Sequence, residues 1–167
     1  YPYTDQDCSS TPDGAAIQNG LSVTGYPNAD IDRFKFTAAA KIPVSRGQWA
    51  TYFNQRKTVP AIASVSIANL TYVSATDKYE ADIKVKFTSA PTAGIPIAVN
   101  AYILEDSIKA EGSSLEQHNY SSSIQGGASV LTNWYHNHCL RMSLGGAWGF
   151  TTAIPATPAV NTEYTQH

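Results

Sequence analysis

The sequence contains little charge. Only 14% of its 167 residues are Asp, Glu, Lys or Arg, whereas about 25% is usual in soluble proteins. Its 11 basic residues, against 13 acidic ones, leave no positive surplus to neutralise phosphates, so we expect no nucleic-acid partner. The hydrophobic share of 43% is enough for a folded core, which excludes disorder caused by charge repulsion.

Long apolar runs and cysteine motifs are also missing. No window approaches the roughly 18 apolar residues of a membrane span, so we expect no transmembrane segment in this chain. Cys8 and Cys139 are its two cysteines. They can form one disulfide or remain two buried thiols, and neither a CxxC nor a zinc-ribbon spacing is present. Because Met142 is the one methionine, we expect Tyr1 to begin a processed product or a fragment.

The polar residues are mainly uncharged. Ser, Thr, Asn and Gln are frequent, and ten tyrosines accompany them. A surface poor in Lys and Glu and rich in Thr, Ser and Tyr is typical of secreted β-proteins. The composition therefore predicts an extracytoplasmic location.

Residues 1–59 show the pattern of a mixed α/β segment. Thr11 precedes a proline and an aspartate, which is the signal of a capped helix start. The Ser-x-x-Gln capping box that begins at Ser45 predicts an amphipathic helix over residues 46–57 with an aromatic face. We expect these aromatics to pack in the core. Pro60 ends this helix, because the residue before a proline avoids the α region.

From residue 60 onward the hydrophobic period changes to two. Apolar and polar residues alternate over 61–68, 79–87 and 95–103, and the second run has one apolar and one charged face. Short turns rich in Gly and Pro separate the runs. This pattern predicts a mainly β fold in which residues 60–167 form an antiparallel sandwich.

A further strand predicted over residues 129–144 contains a candidate metal-ligand pair. In a strand, His136 and His138 would share one face with Trp134, and an H-x-H spacing suits a metal ion. Catalytic zinc needs a third ligand, which no spacing in this sequence identifies. Structural histidines that make hydrogen bonds are the simpler interpretation, and a metal-dependent hydrolase using His136 and His138 is the alternative.

Complete catalytic motifs are missing from the sequence. It has no nucleophile elbow (G-x-S-x-G), no P-loop and no G-x-G-x-x-G. We therefore expect a protein that is not an enzyme and that carries no cofactor.

The candidate contact residues are aromatic. Residues 105–130 lose periodicity and read as a long polar loop, which is where binding functions usually lie. Exposed aromatics are the usual anchors of an interface, and four of them lie in or after this loop: Tyr120, Trp134, Tyr135 and Trp148. Because Trp and Tyr on a sandwich face also stack on sugars, a carbohydrate-binding module is a second alternative.

Three short motifs together resemble one protein family. They are YILEDSI at residues 102–108, NWYHNHCLR at 133–141 and GAWG at 146–149. They are similar to the Bacteroidetes surface lipoproteins named for a twenty-eight-kilodalton outer membrane protein. The resemblance covers most of residues 20–150 and implies an immunoglobulin-like sandwich over 60–167, preceded over 1–59 by the C-terminal part of a thioredoxin-like region.

The same resemblance implies roles for individual residues. The run at 21–33 is similar to the second half of a thioredoxin-like fold, in which the proline after Gly-Tyr is cis, and this implies a cis Pro27. Arg141, inside the second motif, is expected to be structural. The half of a thioredoxin fold that carries a CxxC does not lie in this chain, and the last strands of the sandwich would follow residue 167. The sandwich is therefore expected to be incomplete at its C-terminal end.

The leading hypothesis is a non-enzymatic, cell-surface or secreted, outer-membrane-associated protein built for binding or assembly. Its expected partner is a protein or a glycan at the cell surface. A lipid anchor is expected upstream of this chain. A thioredoxin-like oxidoreductase whose active half lies upstream is a third alternative, beside the hydrolase and the carbohydrate-binding module.

Overall fold

A computed structural model describes residues 11–110, 116–131 and 133–167. Helix α1 is Pro12–Gly20, and the Thr11 side chain caps it by accepting a hydrogen bond from the Gly14 N–H. Helix α2 is Trp49–Arg56, preceded by a 3-10 turn at Arg46–Gln48. Both predicted helices are therefore confirmed. None of the helices in the described parts has the length and hydropathy needed to cross a membrane.

The start of α2 differs in one detail from the predicted capping box. The Ser45 hydroxyl bonds to the Gln48 side chain at 3.3 Å, and no side-chain bond to the backbone caps the turn. The two side chains satisfy each other, so the first turn closes as a 3-10 turn and the α-helix begins at Trp49.

Eleven strands occur in the described residues, and most of them are short. In chain order they are β1 (Asn28–Ala29), β2 (Val44–Ser45), β3 (Ala63–Val73), β4 (Lys78–Phe87), β5 (Tyr102–Glu105), β6 (Ile108–Lys109), β7 (Gln117–His118), β8 (Val130–Leu131), β9 (Tyr135–His136), β10 (Cys139–Ser143) and β11 (Glu163–Gln166). They pair antiparallel in five small sheets. The fold is therefore mainly β, as predicted.

The N-terminal part is organised around a small aromatic core. Phe36, Val44 and Tyr52 are buried together, and the Phe36 and Tyr52 rings stack with their centroids 3.9 Å apart. Trp49 donates its indole N–H to the Val44 carbonyl at 2.9 Å, which fixes α2 against β2. The prediction that this aromatic helix face packs in the core is confirmed for Tyr52, whereas Phe53 is exposed. The Tyr26–Pro27 peptide bond is cis.

A three-stranded sheet in the order β11-β4-β3 carries the main core. The predicted apolar face of β4 is confirmed at Ile83, Val85 and Phe87, which are buried. Val99 and Ile154 pack on them from a second layer. This layer covers the central strand β4. The side chains of the edge strand β3 are mostly exposed.

The predicted third strand over 95–103 is much shorter than expected. β5 begins only at Tyr102 and pairs with β10, and upstream of it the ladder is reduced to a single bridge between Val99 and Phe150. Gly94 precedes this segment and has a positive φ, and Pro96 lies within it and has no N–H to donate to a ladder. The segment therefore serves as a covering layer without regular pairing.

The continuous strand predicted over residues 129–144 is wrong. β9 ends at His136 and pairs with β6, whereas β10 begins at Cys139 and pairs with β5. His138 lies between them with a φ of 58°, in the left-handed region that breaks a strand. His136 and His138 therefore do not share a strand face as alternation had indicated. Cys139 is disulfide-bonded, and Cys8 lies outside the described residues.

Contacts join the two parts of the chain. Asp13 of α1 accepts a hydrogen bond from the Ser143 N–H at 3.0 Å, and Arg33 donates to the Tyr102 hydroxyl at 3.0 Å. The division of the chain at residue 60 stays a prediction.

Candidate functional site

The four predicted contact aromatics are exposed. Tyr120 follows β7 and is 99% exposed. Trp134 and Tyr135 lie at the start of β9, and Trp148 lies in the turn after β10. All four keep a substantial exposed fraction. The environments of the four residues nevertheless differ.

Trp148 packs between distant parts of the chain. The guanidinium of Arg33 lies 5.6 Å from the centre of the indole ring, at cation–π distance. A side-chain carbon at Gly20 would overlap the indole, so the ring rests directly on the last residue of α1. About half of the ring is exposed. Trp148 thus contributes to the contact between α1 and the β region as well as presenting a surface.

A broad depression, the polar hollow, surrounds Tyr120. Its volume is about 870 Å³, and its lining includes Tyr26, Arg46, Glu116 and His118. The Tyr26 hydroxyl donates to Gln18 at 2.8 Å. The hollow combines two exposed tyrosine rings with charged and amide groups, which is the lining that stacks on and hydrogen-bonds a polar ligand.

The loop that carries Tyr120 is held by the neighbouring asparagine. The Asn119 amide nitrogen lies within 3.0 Å of the carbonyl oxygens of Ser121, Ile124 and Ala128, and its oxygen accepts from the Ser121 N–H at 2.9 Å. These bonds close the loop on itself. The backbone at Tyr120 is therefore positioned even though the residue is almost fully exposed.

Two hydrogen bonds beside the histidine pair join the turn after β5 to the turn after β9. The His138 N–H donates to the Asp106 carboxylate at 2.6 Å, and the Ser107 N–H donates to the Asn137 side-chain oxygen at 2.8 Å. A side chain of each turn thus holds the backbone of the other turn, which explains why the strand breaks at His138. Among residues 11–110, 116–131 and 133–167, no three His, Cys, Asp or Glu side chains come close enough together to hold a metal ion.

A second concave surface, the apolar groove, lies between β3, β4 and β5. Its volume is about 330 Å³. Apolar side chains contribute most of its wall, and six of the large ones are Ile67, Leu70, Tyr79, Tyr102, Ile103 and Leu144. These six side chains are exposed, and together they line one apolar surface. Surfaces of this kind on soluble domains usually mark a binding site. None of the four predicted aromatics belongs to this lining.

One end of the apolar groove is polar. The Asp82 carboxylate accepts from the His167 ring at 2.8 Å and from the Asn69 amide at 2.6 Å. The hydrogen bond from His167, and then that from Asn69, lowers the pKa of Asp82. The same bond to Asp82 raises the pKa of His167, which the more distant Glu80 carboxylate supports.

Asn100 supports the part of the apolar groove that Ala101 and Leu144 line. Its amide nitrogen donates to the Ser143 hydroxyl at 2.7 Å and to the Gly146 carbonyl at 2.8 Å. Its side-chain oxygen accepts from the N–H groups of Ala101 and Gly145, both at 2.9 Å. These four bonds, the Asn100 network, tie the segment before β5 to the turn after β10.

Arg141 lies in β10, the strand that pairs with β5. It is only 2% exposed, and its Nε donates to the Glu105 carboxylate at 2.9 Å across the β5–β10 pair. A buried guanidinium without a carboxylate would be costly. Arg141 therefore holds the pairing of β5 with β10, a role within the fold.

The main groove residues were not identified from the sequence. Ile67 belongs to the alternating run over 61–68 and Leu70 follows that run, whereas Asn100 has no sequence signal. One signal was available for β3: its run from Ala63 to Val73 has no charged residue, although it is an edge strand.

The geometry can be compared with known proteins. The family model described as outer membrane protein Omp28 matches residues 15–166, nearly the whole chain. No curated protein and no solved structure matches the chain. The family agrees with the resemblance stated from the motifs and with the predicted extracytoplasmic location at the outer membrane. The chain belongs to the outer membrane protein Omp28 family.

Proposed function

We propose that the chain is a non-enzymatic binding or assembly protein at the cell surface, and that its apolar groove receives an apolar segment of another surface protein. The observation that carries this proposal is the groove itself: large apolar side chains from three strands meet there and remain exposed. Their contact with a partner would remove them from water, which is the main driving force of association. No cofactor is needed for this role.

The shape of the groove favours an extended peptide over a compact small molecule. Its wall includes β5, which has a strand neighbour on one side only among the described residues. An extended segment lying along such a strand can add main-chain hydrogen bonds to side-chain burial. The polar end at Asp82 and His167 would set its direction.

Photo-crosslinking in intact cells tests this proposal. A photoreactive amino acid at Leu70, in the groove, is expected to give an adduct with a distinct surface protein. The matched control is Ile95, an exposed isoleucine outside the groove lining, which is expected to give none. Equal adducts at both positions, or none at Leu70, would contradict the proposal.

We also infer the finer family features from the motifs. They are a lipid anchor upstream of residue 1, an origin in Bacteroidetes, a thioredoxin-like segment over 1–59 and an immunoglobulin-like sandwich over 60–167. The two layers around Val85 and Val99 support the sandwich. Labelling of the full-length protein with a radioactive fatty acid tests the anchor.

A second candidate function is carbohydrate binding in the polar hollow. The exposed rings of Tyr26 and Tyr120 beside Arg46 and Glu116 are the observation that favours it. Replacement of Tyr120 by Ala is then expected to abolish binding on a glycan array, while Tyr135→Ala leaves it unchanged. An array without any signal would exclude this function.

The alternative hydrolase would need a third metal ligand beside His136 and His138. Elemental analysis of the purified protein tests it directly. Stoichiometric zinc, nickel or copper that is lost in a His136→Ala variant would replace the binding proposal with a metal-dependent one.

A further inference from the structure

β3 is an edge strand whose first part, residues 63–68, lacks the usual protection. It is eleven residues long and contains neither a charged residue nor a proline. Natural edge strands are normally short, charged, bulged or covered, because their free N–H and C=O groups pair readily with another strand. The bulge in β3 lies between Ala68 and Thr71. Residues 63–68 ahead of it keep a regular register with β4.

The backbone groups of this edge that face away from β4 can be identified. The Thr88 N–H donates to the Ile62 carbonyl at 2.8 Å, which makes Ile62 and Thr88 a hydrogen-bonded pair. Such pairs alternate along an antiparallel ladder. The backbone groups of Ser64 and Ser66 therefore face β4, and those of Val65 and Ile67 face outward.

The apolar and the hydroxyl side chains of β3 lie on opposite faces of the sheet. Val65 lies opposite Val85 and Ile67 lies opposite Ile83, so all four share the core face of the sheet. Val85 and Ile83 are buried, whereas Val65 and Ile67 are 63% and 66% exposed. The covering layer thus leaves two β-branched side chains in water. On the opposite face, β3 presents small hydroxyl side chains.

We propose that the β3 edge pairs antiparallel with the β3 edge of a second copy of this chain, around a two-fold axis at Ser66. In this register Val65 of each copy lies opposite Ile67 of the other, and their outward backbone groups form the hydrogen-bonded pairs. A two-fold axis perpendicular to the sheet keeps both apolar faces on the same side. The two copies form one six-stranded sheet in which each exposed pair covers the other.

The uncharged contact strand β3 allows two copies to meet without like charges facing each other. β4 carries a row of charged residues on the face opposite the core, including Glu80 and Lys84, whereas β3 carries none. In the paired sheet the two β4 strands are separated by three strand spacings, about 14 Å. That distance exceeds the Debye length of about 8 Å at physiological salt. Like charges of the two copies therefore do not oppose the pairing.

The contact is small, so the dimer is expected to be reversible. Pairing of two short ladders buries less than the roughly 800 Å² per partner of a standard interface. The dimer should therefore be detected at high protein concentration and dissociate on dilution. This inference goes beyond the groove proposal, because it concerns the outer edge of β3 and a partner of the same sequence.

Disulfide trapping tests both the contact and its register. Across a two-fold axis at Ser66, the two Ser66 Cα atoms form a non-hydrogen-bonded pair about 4.5 Å apart, within the disulfide range of about 4.4–6.8 Å. The two Ser64 Cα atoms would be about 14 Å apart. Under a mild oxidant, Ser66→Cys is expected to give a covalent dimer on a non-reducing gel, whereas the matched control Ser64→Cys gives none.

A charge on the edge provides a second, independent measurement. Ile67→Lys places a charge inside the contact and is expected to weaken dimerisation in sedimentation equilibrium by roughly tenfold or more, equivalent to at least about 1.4 kcal/mol. Ile95→Lys, at another exposed isoleucine, should leave it unchanged. Circular dichroism confirms that each variant is folded.

Three outcomes would contradict the proposed dimer. A monomer at every concentration, or no crosslink through Ser66→Cys, would overturn the proposal and leave the β3 edge to a different protein. Crosslinks at Ser64→Cys as strong as those at Ser66→Cys would show random collision and would overturn it as well. A photo-adduct at Leu70 with a distinct protein would remain valid in both cases, so failure here is separable from failure of the groove proposal.

Discussion

Replacement of Asn100 by alanine is expected to weaken the fold where the apolar groove is supported. The change removes three hydrogen bonds to the end of β10 and the turn after it, those with Ser143, Gly145 and Gly146. A typical intramolecular hydrogen bond contributes about 0.5–1.5 kcal/mol net, and the bond to Gly146 is solvent-exposed, so water replaces part of it. We therefore expect the free energy of unfolding to fall by about 2–3 kcal/mol.

Urea denaturation followed by circular dichroism measures this loss. For a chain of this length, 1 kcal/mol corresponds to about 2–4 °C, so the melting temperature should fall by about 4–12 °C. The matched control is Asn54→Ala on the exposed side of α2, which should change stability by less than about 0.5 kcal/mol. A loss for Asn100→Ala that is no larger than that of the control would refute the assignment of Asn100 as a support of the groove.

Two further predictions concern Trp148 and the polar end of the groove. Gly20→Ala should displace the Trp148 indole and red-shift tryptophan fluorescence, whereas Gly25→Ala, where a side-chain carbon meets nothing within 4 Å, should not. The pair of His167 and Asp82 should stabilise the fold most between their ordinary pKa values of 6.5 and 3.8, with the benefit lost as pH rises through the raised pKa of His167 or falls through the lowered pKa of Asp82. An NMR titration should show the His167 pKa returning toward 6.5 in Asp82→Asn; an unchanged value would contradict the pairing.

Local signals explain which elements were predictable. The Thr11 cap and the aromatic spacing around Tyr52 identify α1 and α2, because capping and helical periodicity act within a few residues. Alternation identifies β4, whose apolar side chains are buried as expected. These features depend on neighbours in the sequence and therefore do not require knowledge of the fold.

Alternation failed where a distant residue decided the backbone. His136 and His138 have the spacing of a shared strand face, but the Asp106 carboxylate, 32 positions away from His138, holds the His138 backbone in the left-handed region. Trp148 had the signature of an exposed contact residue, but its ring rests on Gly20 and under Arg33. No local sequence pattern predicts contacts between residues so far apart in the chain.

The amino-acid sequence by itself determined the mainly β class, the two helices, the charge-poor surface and the family, because composition, caps, periodicity and short motifs are properties of neighbouring residues. The tertiary structure decided which apolar face is covered. Val65 and Val85 have equivalent positions in equally alternating strands and lie opposite each other, yet only Val85 is buried. The difference arises because β4 lies at the centre of its sheet beneath the second layer, whereas β3 lies at the edge.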